Sequence, residues 1–251
     1  MRTMDPLTAI AASGMRSRTE SLELVANNLA NTSTAGYKAD GESYNLYFGD
    51  SAWTGYLENR PAAGEMPIVE HNWSDLSQGT LLETGNLNDV ALATAGFFVA
   101  ETSSGPLYTR GGHFRVSSKG TLETREGYPV LASGGQPVRL DPSKPYSISE
   151  SGQISQDGAP VAELQIVDVS TIDALTKRGG TYFALSSSAK TAPVQNPQVL
   201  QGKVESSNVE SSYAAVKLVG VLRQFEMMQR AVRIASDMGK QSVEQVAKVI
   251  S

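Results

Sequence analysis

Side chains that could act as acids, bases, nucleophiles or metal ligands are sparse in this sequence. It has two histidines, His71 and His113, which lie far apart and have no carboxylate at metal-ligand spacing. Each is predicted to be a surface or turn residue rather than a metal ligand or general base. There is no cysteine, which excludes disulfides, thiolate metal sites and cysteine nucleophiles.

Short motifs give no stronger indication of catalysis. The strings GxSxG, GxxxxGK[ST], GxGxxG and HExxH are absent from the sequence. Two acidic pairs have the residue types of a glycosidase site, namely Glu83/Asp89 and Asp168/Asp173. Carboxylates that flank strands and loops are usually solvated. The sequence therefore predicts a protein that is not an enzyme and has no catalytic residues, cofactor or metal ion.

The composition is that of a folded, soluble protein. The chain has 251 residues, 40% of them apolar, and a formal net charge of −5. It has no run of lysine and arginine, which argues against nucleic acid or an anionic membrane as a partner. The apolar runs are too short for direct membrane insertion, and the first residues lack the apolar stretch of a cleaved secretory signal. Composition alone predicts a cytoplasmic location.

Both ends of the chain are predicted to be helical. Asp5 and Pro6 indicate a helix start, since aspartate caps free amides and proline is tolerated at the first helical position. An apolar stripe continues from there to about residue 31. Its members are Leu7, Ala11, Met15, Leu22, Val25 and Leu29.

The C-terminal pattern is stronger, with apolar residues that alternate in steps of four and three. They are Ala214, Leu218, Val221, Phe225, Met228, Val232 and Ala235, and the rhythm continues to Val246. This spacing predicts a coiled-coil seam. A helix of about forty residues would be roughly 60 Å long. The shorter N-terminal helix would cover only part of the seam, so the rest is predicted to pack against other copies or related chains.

The middle of the chain changes from helical periodicity to short apolar runs separated by turn residues. Residues 76–204 are predicted to form an antiparallel β domain. The predicted fold class is α+β, with a coiled-coil-like terminal domain made by residues 1–36 and 205–251 and a central all-β domain.

Residues 37–75 form a connecting segment rich in aromatic residues, glycine and proline. Its aromatic side chains include Tyr44, Tyr47, Phe48, Trp53 and Tyr56. One interpretation is a loop that packs its rings on the β domain. The other is a contact segment for a second subunit.

Three asparagines share one side of the N-terminal helix near its end: Asn27, Asn28 and Asn31. One interpretation is that they are solvated and that Asn31 helps to end the helix before Thr34 and Gly36. The other is that this polar face meets other chains, because uncharged amides donate and accept hydrogen bonds without the desolvation cost of charges.

Three stretches resemble the bacterial flagellar rod and hook family. The string "VANNLANTSTAGYKAD" is similar to the family's rod signature, with Thr34, Gly36, Tyr37 and Lys38 at matching positions. Residues 96–131 are similar to a shared β-domain block. Residues 200–238, which contain "GKVESSNVE" with Asn208 and Val209, are similar to the C-terminal block. Within the family, the chain looks more like a proximal rod subunit than a distal or hook-like one.

The resemblance implies a structural role. Family members assemble helically through their terminal helices, carry torque from motor to hook, and leave the cytoplasm through the flagellar type III export apparatus with an uncleaved N-terminus. The implied partners are other copies and other rod and hook subunits, with no small-molecule substrate, and the implied location is the basal body. The stripe, seam and signature residues named above then become subunit-interface residues.

A binding module, rather than a subunit of a filament, is the alternative that the sequence also allows. A β-domain binding module whose helices form a closed trimeric coiled coil, as in adhesins, would show the same alternation of helix, strands and helix.

Overall fold

The computed structural model describes residues 6–47, 66–169, 174–186 and 189–250. Its helices are α1 (Pro6–Ala30) and α2 (Ser211–Ile250). Its strands are β1 (Asp40–Tyr47), β2 (Met66–Ser74), β3 (Leu81–Glu83), β4 (Val90–Leu92), β5 (Phe97–Thr102), β6 (Gly105–Thr109), β7 (Phe114–Val116), β8 (Leu122–Thr124), β9 (Tyr146–Ile148), β10 (Gln153–Gln156), β11 (Ala159–Glu163), β12 (Ile166–Val169), β13 (Leu175–Lys177), β14 (Tyr182–Leu185), β15 (Thr191–Pro193), β16 (Val199–Gln201) and β17 (Lys203–Glu205).

The chain divides into two compact units. The first, called here the helical unit, consists of residues 1–29, 40–73 and 210–251. The second, called here the β unit, consists of residues 30–39 and 74–209. The expected α+β class is confirmed, since a mostly β region is accompanied by one N-terminal and one C-terminal helix.

The β unit is organised around a six-stranded antiparallel sheet in the order β13-β14-β6-β5-β12-β15. Strand β5 is central because "FFVA" is apolar at successive positions, which allows burial on both faces. Phe97 packs edge-on against Phe183 on one face, and Phe98 packs edge-on against Phe114 on the other. Each buried phenylalanine contributes about 1.5–3 kcal/mol, so this strand holds two cores together.

The remaining strands of the β unit form smaller antiparallel pairings: β11-β10-β9, β16-β4, β17-β3 and β7-β8. The β17-β3 pair joins residues more than a hundred positions apart, with Val204 opposite Leu82. The segment that leads towards α2 is thereby held inside the β unit.

In the helical unit, the buried row of α1 consists mainly of small residues. Its members are Gly14, Ser17, Ser21, Val25 and Asn28. The buried positions of α2 include Ala214 and Val221, and a Cβ atom placed on Gly14 would lie only 2.8 Å from Met228 Cε. Of the predicted stripe, Val25 belongs to this buried row. Met15, Leu22 and Leu29 of the predicted stripe are only half-buried, because small residues permit closer packing than leucines do.

Strands β1 and β2 pair with each other and form part of the connecting segment. Tyr44 and Tyr47 lie on β1, whereas Phe48, Trp53 and Tyr56 fall outside the described residues. The two interpretations of these aromatic residues stay predictions. Among the helices in the described ranges, neither combines the length and apolar character needed to span a membrane.

Candidate functional site: a three-segment junction

The signature residues that follow α1 form a compact turn at the edge of the β unit. The Thr34 amide donates to the Asn31 carbonyl at 3.1 Å, and the Thr34 hydroxyl donates to Asn31 Oδ1 at 3.1 Å. The Tyr37 amide then donates to the Thr34 carbonyl at 3.2 Å. These bonds satisfy polar groups left over at the helix end and direct the chain into the β unit.

Three distant segments of the β unit meet where this turn ends. We call the site formed by residues 36–39, 75–79 and 205–208 the junction. The Gly36 amide donates to the Glu205 carbonyl at 2.7 Å, and the Asp75 amide donates to the Ala39 carbonyl at 2.8 Å. Asn208 links all three segments. Its Oδ1 accepts from the Ala39 amide at 2.7 Å, and its Nδ2 donates to the Asp75 carbonyl at 2.8 Å.

A buried ionic cluster lies at the centre of the junction. The side chains of Lys38 and Glu205 are both 0% exposed, with Lys38 Nζ 2.5 Å from Glu205 Oε1. The other oxygen, Glu205 Oε2, accepts from Arg110 Nη1 at 3.3 Å, and the Gly79 amide donates to Glu205 Oε1 at 2.9 Å. Lys38 Nζ also donates to the Ser77 carbonyl at 2.6 Å. The Glu205 carboxylate therefore accepts hydrogen bonds from two cationic side chains and one backbone amide.

Burial lowers the pKa of both cationic side chains in the cluster, Lys38 and Arg110. Desolvation lowers the pKa of Lys38 from its ordinary value, and the contact with Glu205 opposes that shift. Desolvation likewise lowers the pKa of Arg110, with Glu205 again opposing it. A buried charge keeps its ionised form only if its partners replace water. The carboxylate of Glu205 gives both buried cations their main opposite charge, with smaller contributions from Asp75 for Lys38 and Asp168 for Arg110.

Gly36 is required by the close approach of two backbones. Its φ is +72°, a left-handed conformation that side chains disfavour. A Cβ atom at this position would lie 2.2 Å from the Gly111 nitrogen. No other residue type fits without moving the backbone of residues 110–111.

Tyr37 is locked in place beside the ionic cluster. It is 1% exposed, and Lys177 Nζ lies 3.8 Å from the centre of its ring. Lys177 Nζ also donates to the Lys38 carbonyl at 2.6 Å. Strand β13 therefore clamps the signature from the side through a cation–π contact and a hydrogen bond.

The chemistry of the junction is that of a structural site. The three charged side chains of its ionic cluster are buried, and Glu205 pairs with both cations. In the parts of the chain that the structure describes, no group of three or more potential metal-ligating side chains occurs. His113 does have a carboxylate partner that sequence spacing concealed, because its Nδ1 lies 2.7 Å from Asp89 Oδ1. The same two residues form a backbone β-bridge, which points to a structural use.

Several predicted interface residues of the signature are used inside the subunit. Gly36, Tyr37 and Asn208 all belong to the junction. Asn28 is buried in the helical unit, where its Nδ2 donates to the Asp40 carbonyl at 2.7 Å and its Oδ1 accepts from the Asp40 amide at 2.9 Å. Gly36 through its backbone, and Tyr37, Asn208 and Asn28 through their side chains, therefore hold the subunit's own fold. Asn27, in contrast, is exposed on α1.

The predicted seam of α2 matches its less exposed side. Ala214 and Val221 are buried, and half-buried positions continue the same row: Leu218, Phe225, Met228 and Val232. Val209, just before α2, is half-buried as well. The side chains of Leu7, Ala11, Ala235 and Val246 lie outside the described part of the chain. Whether any of these residues meets another subunit stays a prediction.

The ionic cluster was missed by the sequence analysis. Lys38 and Glu205 both stand in the quoted motifs, but as ordinary charged residues they gave no sign of burial. Arg110 lies in a turn-like "TRGG" string. The one available signal was the presence of Lys38 and Glu205 inside the two strings that resemble a known family.

Three family descriptions match successive parts of the chain. Residues 9–38 match the flagella basal body rod protein family. Residues 91–158 match the flagellar hook protein FlgE/F/G D1 domain, and residues 200–246 match the flagellar basal body rod FlgEFG protein C-terminal region. Lys38 and Glu205 each lie inside a matched region.

Curated relatives match over nearly the full length. The chain is 30% identical to the flagellar basal-body rod protein FlgG of Agrobacterium fabrum, covering 92% of this chain and 95% of that protein. It is 27% identical to the flagellar basal-body rod protein FlgF of Caulobacter vibrioides, covering 98% and 100%. It is 25% identical to the FlgG of Bacillus subtilis, covering 90% and 93%. With three matched regions and end-to-end relatives, this chain belongs to the flagellar basal-body rod protein family.

Proposed function

We propose that the chain is a structural subunit of the flagellar rod, which joins other copies and related rod and hook subunits through its two terminal helices. One observation carries the role of the helices. Large apolar side chains on one side of α2 are 60–74% exposed: Tyr213, Val216, Met227, Ile234 and Met238. So much exposed apolar surface on one element marks an interaction site. A filament of repeated subunits would cover it.

The seam of α2 and the small-residue row of α1 form a coiled-coil-like pair in this proposal. Gly14 next to Met228 supports such a pairing, as does the shared seven-residue spacing of Gly14/Ser21 and Ala214/Val221. The pair is short of large apolar side chains on the α1 side, which weakens it in isolation. Its full ordering follows from contact with neighbouring subunits.

The junction carries load in this proposal. A rod that transmits torque must pass force between its assembly helices and its β units without unravelling either. The chain leaves the β unit on both sides of the junction, after Ala39 and after Val209. Three segments cross-linked by buried hydrogen bonds and ion pairs resist separation far better than a single exposed strand end does.

The proposed location is the periplasm-spanning rod of the basal body, and the position within it is proximal. The chain would leave the cell through the flagellar type III export apparatus and keep its N-terminal sequence. Sequencing the N-terminus of the protein from purified basal bodies tests this, because a cleaved leader would contradict it.

Electron microscopy of basal bodies tests the function itself. A strain that lacks this chain should yield basal bodies without complete rods, and the wild-type gene should restore them. Intact rods and hooks in the deletion strain would overturn the proposal. In solution, the purified chain should be largely monomeric, with fast amide exchange in both terminal helices. A discrete stable trimer would support an adhesin-like module instead.

A further inference from the structure

The buried ionic cluster combines residues that are made at different times as the chain grows from its N-terminus. Lys38 and Arg110 come first, whereas Glu205, which pairs with both, comes near the end of the β unit. Asp75 adds a smaller favourable charge interaction with Lys38. Asp168 does the same for Arg110. The main opposite charge for two buried cations is therefore supplied by a segment that is made after both of them.

The segment that carries Glu205 packs on parts of the β unit that lie much earlier in the chain. We call residues 199–208 the closing segment. Its strand β16 pairs with β4, and its strand β17 pairs with β3. It also lies directly against the junction, because a Cβ atom built on Gly79 would be 2.0 Å from the Ser206 carbonyl oxygen. Docking of the closing segment therefore covers strands and turns from the first part of the β unit.

Lys38 is costly to bury when the closing segment is absent or detached. Its side chain is 0% exposed. Apart from Glu205, the acceptor of Lys38 Nζ is the neutral Ser77 carbonyl, at 2.6 Å. Removing one partner of a buried ion pair is strongly destabilising. The chain avoids this cost if residues 36–39 move out and Lys38 becomes hydrated.

We propose that residues 36–39 and the closing segment open and close as one unit, coupled by the Lys38–Glu205 pair. In a growing chain, residues 36–39 then stay open until Glu205 has been made. Both segments lead into the helical unit, which the chain enters after residue 39 and after residue 209. The two connections to that unit therefore become ordered together. This coupling is a property of the monomer and goes beyond the proposed rod function.

Amide hydrogen exchange of the purified full-length chain measures the coupling. For residues 36–39 the reporter is the Asp75 amide, whose 2.8 Å hydrogen bond to the Ala39 carbonyl involves no atom of the closing segment. For the closing segment it is the Ser206 amide, which donates to the Thr80 carbonyl at 2.8 Å. The protection of the two amides should agree within about threefold and should fall equally with urea, because one opening exposes both. A difference of roughly tenfold or more would contradict the coupling.

Two single substitutions separate the coupling from general destabilisation. Lys38→Met removes the charge on the earlier segment and leaves Glu205 paired with Arg110. The Asp75 amide should then be protected at least about tenfold more than the Ser206 amide, because the closing segment can open alone. Arg110→Met is the matched control, since it removes the other cation and keeps the Lys38–Glu205 pair. The two amides should stay within about threefold of each other in this control. Equal protection ratios in the two variants would show that Lys38 does not couple the segments.

Refolding of the full-length wild type tests the order of events and needs no substitution. After dilution from urea, a pulse of hydrogen exchange records when each amide becomes protected. The Asp75 amide should become protected no earlier than the Ser206 amide. Protection of Asp75 well before Ser206 would show that residues 36–39 close without Glu205, and would overturn the proposal. Because these measurements use only the monomer, their failure leaves the rod assignment intact. Intact rods in the deletion strain would likewise leave the coupling intact.

Discussion

Gly36 and Gly220 are both glycines, but the described residues of the subunit explain only the first of them. Gly36 has a positive φ and would place a Cβ 2.2 Å from the Gly111 nitrogen. A Cβ built on Gly220 meets no atom of the described residues within 4 Å. The junction is thus complete within the subunit, whereas one side of α2 leaves large apolar side chains exposed.

The same contrast holds for the other residues of the two regions. At the junction, each charged side chain of the ionic cluster is buried and has a partner of opposite charge. On the outer side of α2, apolar side chains such as Val216 are exposed and arginines flank them. A subunit built for assembly needs both: one region that is complete before its neighbours arrive, and one that is completed by them.

The largest expected effect comes from removing the junction's carboxylate. Glu205→Gln removes the shared counter-charge of the buried Lys38 and Arg110, which should destabilise the β unit by about 3–5 kcal/mol. Urea denaturation followed by far-ultraviolet circular dichroism measures this. The control is Glu123→Gln, which breaks the longer, partly exposed ion pair with Arg115 at 3.6 Å and should cost less than about 1 kcal/mol. Equal effects would contradict the role of the cluster.

The two glycines should respond to alanine with opposite signs. Gly36→Ala combines left-handed strain with a backbone clash and should destabilise the β unit by about 2 kcal/mol or more. Gly220→Ala should leave the monomer unchanged or more stable by up to about 1 kcal/mol. Thermal unfolding of both variants, monitored for each unit, checks the difference. Loss of stability in both would mean that Gly220 does have an internal role.

The adjacent residues Asn27 and Asn28 allow a comparison of an exposed with a buried side chain on the same helix, with smaller expected effects. Asn28→Ala removes two hydrogen bonds with the backbone of Asp40 and should cost about 1–2 kcal/mol, since buried backbone groups lose their partner. Asn27→Ala at an exposed position should change stability by less than about 0.5 kcal/mol. Asn27→Leu should nevertheless impair motility if this side of α1 meets another chain. Normal swimming of that variant would count against the polar-contact interpretation.

The sequence was sufficient to predict the helices and the β domain, but not the contacts between residues that lie far apart in the chain. Local periodicity predicted α2 and its less exposed side, because a 3.5-residue repeat of apolar side chains indicates both. Short apolar runs separated by turn residues likewise predicted the antiparallel β domain. Such signals depend on residues close together in the chain.

The junction depends on residues that lie far apart. Lys38 and Glu205 are 167 positions apart, and no local pattern reports that two charges will meet in a core. The buried row of α1 was missed for a related reason. A search for apolar periodicity selects mainly leucines. The subunit instead buries Gly14, Ser17 and Ser21 of α1. Their small size favours burial only because it lets a second helix pack closely, which no local pattern in α1 indicates.

The smallest expected effect is a dependence on alkaline pH in the core of the β unit. Burial, and secondarily the charge of Asp89, raises the pKa of Tyr146 to about 12 from an ordinary value of 10.0. Between these values the unfolded chain releases the phenolic proton and the folded chain keeps it. Stability contributed by Tyr146 is therefore complete below pH 10 and is lost as pH rises towards 12.

Tyr146→Phe should be less stable than wild type at pH 8, because the hydroxyl's 2.9 Å hydrogen bond to Asn88 is lost. At pH 11 the difference should shrink by about 1 kcal/mol. Urea denaturation of both proteins at the two pH values measures this, and a difference that stays constant would show that Tyr146 titrates normally. Tyr146 and Asn88 both belong to the β unit, so rod incorporation of Tyr146→Phe through the terminal helices should equal that of wild type at neutral pH. The β unit would then tolerate a small loss of folding stability without any effect on assembly through the terminal helices.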